Sequence, residues 1–178
     1  QLHIWPELLH TASSIQSIHI SEQGRLGQGR LHADAGKEPL GSVVEMHALM
    51  DALKAKLNSG DIFSPARVVA LNSRTGIAQL ATDAGDKTVQ AQWIVAADGT
   101  ESSIRALCHA TARTKLYQEH AIAANIALSR PHGQVAYERF TTQGPLALLP
   151  LHGAHMALVW TLNPEQVKQL KTMDEAAF

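Results

Sequence analysis

The sequence predicts an α+β fold dominated by antiparallel sheet. Three observations carry that expectation. Apolar and polar residues alternate at a period of two in several runs, as half-buried strands require. Those runs are punctuated by turn residues, among them "RTG", "AGD" and "TQG", at hairpin spacing. Helical spacing is clear in only a few places.

Residues 4–10 suggest a short helix, and "IQSIHIS" (15–21) alternates as a strand. "GRLGQGRLHA" follows as its hairpin partner after a Gly turn. "GSVVEMHALMDALKAKLNSGD" (41–61) gives the clearest helix, with Met46, Leu49, Met50, Leu53 and Leu57 on one face. Its "NSG" at 58–60 is a stop signal. "ARVVALNS", "IAQLATDA" and "TVQAQWIVAAD" read as three strands. The third ends in a continuous apolar run, Trp93 to Ala97, which predicts a strand covered on both faces, as in a parallel sheet. "AIAANIALSR", "GQVAYERFTT", "PLALLPL" and "HMALVWTL" are further strands. "NPEQVKQLKTM" starts a helix with Asn163 as N-cap and Pro164 at its first position.

Composition narrows the function classes. With 178 residues, 45% hydrophobic and 17% charged, the chain is globular in character and long enough for one domain or parts of two. A net charge of −1 argues against a nucleic-acid binder. The longest apolar runs are interrupted by Gly, Pro and His, so no membrane span or secretory leader is expected. Cys108 is the single cysteine; it excludes a disulfide framework, suits a reducing cytoplasm, and is expected to be packed rather than reactive. The chain starts without Met and ends at "MDEAAF", an acid-rich helix start, so both ends are expected to be cuts in a longer protein.

"WIVAADGTESSIR" (93–105) reads as a buried strand, a tight turn and a helix start. Asp98 would lie at the C-terminal end of that strand, where ligands of open α/β sheets collect and a carboxylate can accept from ribose hydroxyls. Gly99 permits a sharp turn and close ligand approach. Ser102 can cap the helix or donate to a phosphate, and Arg105, one turn on, can reach an anion. The same residues equally describe an ordinary Asp-Gly turn before a helix.

"ADGTESSIR" resembles the D-G-x-x-S-x-x-R motif of the flavoprotein aromatic hydroxylases, those with the para-hydroxybenzoate hydroxylase fold. "LGSVVEMHALMDAL", "AIAANIALSRPHGQVAYERFTTQGPLALLPL" and "ALVWTL" resemble the ubiquinone-pathway branch, which includes 2-octaprenyl-6-methoxyphenol hydroxylase. The resemblance covers essentially the whole chain. It implies an FAD-dependent monooxygenase, with NAD(P)H as reductant and a polyprenylated phenol and O2 as substrates. It also implies that the N-terminal G-x-G-x-x-G loop and the C-terminal G-D segment lie outside this chain; "GRLGQG" has the wrong spacing to replace the former. The isolated chain is then expected to be inactive.

By the same resemblance, residues 1–41 and 112–178 belong to a substrate-domain sheet, and 42–111 are a remnant of the FAD domain. Asp98 and Gly99 would face the FAD adenosine-ribose side, with Ser102 orienting the turn and Arg105 matching the arginine associated with the NAD(P)H pyrophosphate. His47 lies on a helix that passes the flavin in relatives; a solvent-facing His is the other reading. Glu138, Phe140, Gly144, Pro145 and Leu146 are the substrate-sheet candidates, with plain sheet core and a Glu138–Arg139 ion pair as the other reading. No catalytic side chain is assigned, because the chemistry would be the flavin's. His152 and His155 lack a third ligand type, so no metal is expected.

Other expectations concern partners. A ubiquinone-pathway complex and peripheral contact with the inner membrane suit the resemblance. An unpaired Trp93–Ala97 strand would promote self-association. Two other functions stay open: a sister hydroxylase acting at another ring position, and a non-catalytic β-rich binding or assembly module.

Overall fold

A computed structural model describes residues 2–174. In chain order the elements are α1 (Trp5–Leu8), β1 (Ser13–Ile15), β2 (Ser17–Glu22), β3 (Gln28–His32), β4 (Gly41–Val43) and α2 (Met46–Lys54). A 3-10 turn (Ser59–Asp61) leads to β5 (Ala66–Asn72), β6 (Ile77–Thr82), β7 (Lys87–Gln90) and α3 (Ser103–Leu107). Then come β8 (His120–Ala127), β9 (Val135–Thr141), β10 (Gly144–Pro150), β11 (His155–Leu162) and α4 (Pro164–Leu170). The chain forms two compact units: one runs to Lys56 and resumes at Tyr117, and the other is Leu57–Leu116.

The first unit is built on a six-stranded sheet of order β3-β2-β9-β10-β11-β8. Every neighbour pair is antiparallel except β2 with β9. The α+β expectation with a mostly antiparallel sheet holds, and early and late parts of the chain share that sheet. Leu146, Leu148 and Pro150 stand opposite Trp160, Leu158 and Met156, so the register gathers them on one face. Met156, Leu162 and Pro150 are the largest fully buried side chains there. β1 pairs with β4, and the Ser13 hydroxyl donates to the Leu151 carbonyl at 3.2 Å, tying that pair to the end of β10. The start of α4 is as expected: the Asn163 side chain accepts from the Gln166 N–H, and Gln166 reciprocates on the Asn163 N–H.

Two expectations need correction. The helix in 41–61 is confined to Met46–Lys54, because Gly41–Val43 is spent pairing with β1. Its expected apolar face is largely open: Met46, Met50 and Leu57 are exposed, Leu49 and Leu53 are half-buried, and Ala52 is the buried residue. The four-residue α1 is the element that packs on it, and so short a partner covers only a narrow stripe. Through that packing α2 clusters with the first unit, although the sequence reading groups it with the Asp98 segment.

The second correction concerns Trp93–Ala97. The β5–β6–β7 meander forms with both expected turns, but β7 stops at Gln90. Residues 91–97 run on outside any sheet, with Trp93 88% and Val95 84% exposed. Apolar content alone does not make a strand; a ladder needs a neighbour, and past the Ala91 N–H bond to the Gly76 carbonyl at 2.9 Å no strand among the described residues pairs with Trp93–Ala97. Among the described residues no helix is long and apolar enough to cross a membrane.

Replacing Met156 (2% exposed) by Ala should destabilise the first unit by about 2–5 kcal/mol through the cavity left behind. Met46→Ala, at a position 69% exposed, should change stability by no more than about 0.5 kcal/mol. Urea unfolding of both variants checks the assignment of the core to the sheet and not to α2.

Candidate functional site

The Asp98 turn has a specific local cause. Five-residue α3 begins with N–H groups that have no carbonyl to bond. Asp98 satisfies them from outside the helix: Oδ2 accepts from the Ser103 N–H at 2.7 Å, the Ile104 N–H at 3.2 Å and the Ser103 hydroxyl at 3.2 Å. Oδ1 accepts from the Ser102 hydroxyl at 2.5 Å, and the Ser102 oxygen in turn accepts from the Arg105 N–H at 3.0 Å. Ser102 is buried, as this double role demands. Gly99, at φ +88°, makes the turn that brings the carboxylate back over the helix start.

This arrangement favours the ionised acid. The Ser102 hydroxyl bond first, then the backbone N–H bonds, hold the Asp98 carboxyl at about 2, below its ordinary 3.8. Both oxygens are engaged by the chain itself, so Asp98 serves first as the cap of α3. The sequence reading of Ser102 as a cap holds.

A recess of about 590 Å³ opens beside this turn, within the second unit. Gly99, Ser102 and Arg105 line it together with Trp93, Ile94 and Cys108. Nothing lies within 4 Å of where a Gly99 side chain would start, so its backbone is open to close approach. The Arg105 guanidinium donates to the Thr100 carbonyl at 2.6 Å, which fixes it at the rim with donors to spare. Cys108 is exposed, contrary to the expectation that it packs: it is the C-cap residue at the end of the short α3. Asp98, Gly99, Ser102 and Arg105, grouped in the sequence reading, share one hydrogen-bonded turn. The sequence did not reveal Ser103 as a second donor to Asp98, nor the wall supplied by Leu71, Ser73 and Gly76 of the meander. Ser103 was visible in the motif; the wall depends on tertiary packing.

The other candidates lie in the first unit. His47 is exposed and stands 3.2 Å from the Glu45 carboxylate, at the start of α2. In the β9–β10 hairpin, Phe140 stands opposite Pro145 and Glu138 opposite Ala147, which puts Glu138, Phe140 and Pro145 on one sheet face. Leu146 points to the other face with Arg139. Glu138 and Arg139 therefore form no ion pair; Arg139 donates instead to the Ser21 hydroxyl at 3.3 Å. Gly144 has φ +142°, and a side chain there would collide with the Thr161 carbonyl, so its role is to let β10 start against β11. Among the described residues no cluster of His, Cys, Asp or Glu could hold a metal ion.

The cap predicts a pH signature. Because the folded value lies below 3.8, the stabilisation from Asp98 should be complete above that pH and vanish as pH falls towards about 2. The carbon-13 shift of the Asp98 carboxyl should titrate near the lower value, and in Ser102→Ala nearer the ordinary one. Equal midpoints in the two proteins would refute the cap.

Comparison with known proteins follows the same lines. No family model matches the chain. It is 32% identical over 144 residues to the ubiquinone hydroxylase UbiL of Rhodospirillum rubrum, covering 79% of this chain and 33% of that protein. It is 28% identical over 188 residues to the mitochondrial ubiquinone biosynthesis monooxygenase COQ6 of Caenorhabditis elegans, covering 100% of this chain and 41% of that one. Among solved structures, PqsL, a probable FAD-dependent monooxygenase from Pseudomonas aeruginosa, superposes with a TM-score of 0.69 at 15% identity, over 93% of this chain and 47% of its own. The chain thus spans less than half the length of these relatives. Its sequence places it in the family of the ubiquinone-biosynthesis hydroxylases, and its fold is that of the FAD-dependent monooxygenases.

Proposed function

We propose that the chain is the central part of an FAD-dependent monooxygenase that hydroxylates a polyprenylated phenol in ubiquinone biosynthesis. The observation that carries this reading is the Asp98–Arg105 turn, folded as one hydrogen-bonded unit beside a recess, in a chain related to ubiquinone-pathway hydroxylases. Bound FAD would supply the oxygen-activating chemistry, with NAD(P)H as reductant. The residues present fit part of such a group: the open Gly99 backbone admits close approach, and Arg105 offers a fixed cation to a pyrophosphate.

What this chain contributes is positioning. Ser102 and Asp98 hold the turn rigid, so Gly99 and Arg105 meet a ligand without first being ordered. Phe140 and Pro145 present apolar surface to a phenol ring and its prenyl tail, and Glu138 on the same face can accept a hydrogen bond from the phenol hydroxyl. No side chain has to act as a covalent nucleophile. Association at the inner-membrane periphery and with other ubiquinone-pathway proteins belongs to the same proposal. The ring position attacked distinguishes this reading from that of a sister hydroxylase.

The binding set in this chain is partial, since the Asp98 oxygens are already engaged by the chain itself. Titration followed by FAD fluorescence should therefore give no stoichiometric complex with the 178-residue chain. A chain extended by the flanking segments its relatives carry should bind FAD one to one. Stoichiometric flavin on the short chain would overturn the partial-site reading. Failure of the extended chain to bind would overturn the hydroxylase reading.

A second reading, a non-catalytic assembly module, is favoured by the exposure of Trp93 and Val95. These side chains should drive self-association. Light scattering should show oligomers that dissociate in the Trp93→Ser/Val95→Ser variant. A monomeric parent would remove the support for this reading.

A further inference from the structure

The register of β3, β2 and β9 sorts their side chains into two chemically different faces. Residues directly opposite in a ladder share a face. Arg30, His19 and Tyr137 form one such row; His32, Ser17 and Val135 form a second; Gln28, Ser21 and Arg139 form a third. These three rows alternate with the intervening ones, so all lie on the same side. The carboxylates Glu22 and Glu138 fall on the opposite side, with Ile18, Ile20 and Phe140. One end of the sheet thus presents two guanidinium groups, two imidazoles, two serine hydroxyls, an amide and a phenol, and no carboxylate from these strands.

Part of this array is already braced. The His19 Nε2 and Gln28 Oε1 atoms are 2.6 Å apart, and the His19 and Tyr137 rings meet edge to face at 5.7 Å. Arg139 is held on Ser21. The Arg30 and His32 side chains, by contrast, have no hydrogen bond or ion pair among the described residues. Three exposed cations elsewhere do pair with acids: Arg25 with Glu22, Lys37 with Asp34 and Lys56 with Glu7. Ser17, His19, Arg30, His32 and Tyr137 line a recess of about 180 Å³, a size suited to one compact anionic group.

We propose that this recess is a binding site for the phosphate group of an organophosphate, contacted by Arg30, His32 and Ser17 and backed by the braced His19–Tyr137 pair. A guanidinium fork matches two phosphate oxygens, while hydroxyl and imidazole N–H groups reach the others from neighbouring strands. The site lies on the face opposite Glu138 and Phe140, so it is separate from the phenol contacts and does not depend on flavin. A soluble phosphate ester and a phospholipid headgroup share this chemistry.

The test uses the nitrogen-15-labelled 178-residue chain and inorganic phosphate, then pyrophosphate. Amide signals of residues 17–19, 30–32 and 135–137 should shift saturably. Arg30→Gln/His32→Gln should weaken binding by about tenfold or more, the loss expected for charge-assisted hydrogen bonds. Lys171→Gln, a charge removed elsewhere on the surface, should leave it unchanged. Should the double variant fail to fold, His32→Gln alone should still weaken binding. Absence of saturable shifts, or shifts that survive His32→Gln and the double variant undiminished, would overturn the proposal. Cosedimentation with phosphatidylglycerol vesicles but not phosphatidylcholine vesicles would assign the phosphate to a lipid headgroup. Phosphate binding without vesicle binding would assign it to a soluble ester.

Discussion

The parallel pairing of β2 with β9 is the constraint on which the first unit depends. It joins residues 118 positions apart, such as Ser21 and Arg139. Closing so long a loop has an entropic cost, and it is offset because the pairing extends one sheet from four strands to six. Removing it would leave the β2–β3 hairpin as a two-stranded ribbon, which is marginal in water. The intervening Leu57–Leu116 can then fold as its own unit, since both its connections enter and leave the sheet-bearing part of the chain.

Much of this was legible from local pattern. Alternation located β2, β5, β6 and β8–β11, because each has a period-two register to satisfy. The Asn163-Pro164 start of α4 and the Ser102 cap of α3 were readable because caps are chemistry between near neighbours. What could not be read was which apolar residues find partners. Trp93–Ala97 and the Met46/Met50 face of α2 look like core by composition, yet burial is a property of two surfaces. Cys108 was misjudged for the same reason. The parallel β2–β9 contact left no local signal, since its two strands are far apart in the chain.

The candidate site shows how one motif serves structure and function together. Asp98 was legible as a carboxylate at a turn, but spacing could not say whether its oxygens face a ligand or the helix. The fold answers with four hydrogen bonds to its own chain. An acid used this way shapes a binding surface by fixing the backbone of Gly99 and the start of α3. Loss of the acid would therefore be felt first as loss of order in the turn. The substrate-sheet residues divide similarly: Gly144 secures the start of a strand, while Glu138, Phe140 and Pro145 form a shared surface.

The exposure of Cys108 has a practical consequence. As the chain's single thiol, on the wall shared with Gly99 and Arg105, it is a unique chemical handle beside the recess. A maleimide fluorophore attached there would sit at the recess that Trp93 also lines, placed to respond when the space fills or the turn rearranges. The protein thus carries its own attachment point for an optical reporter, with no engineered cysteine required.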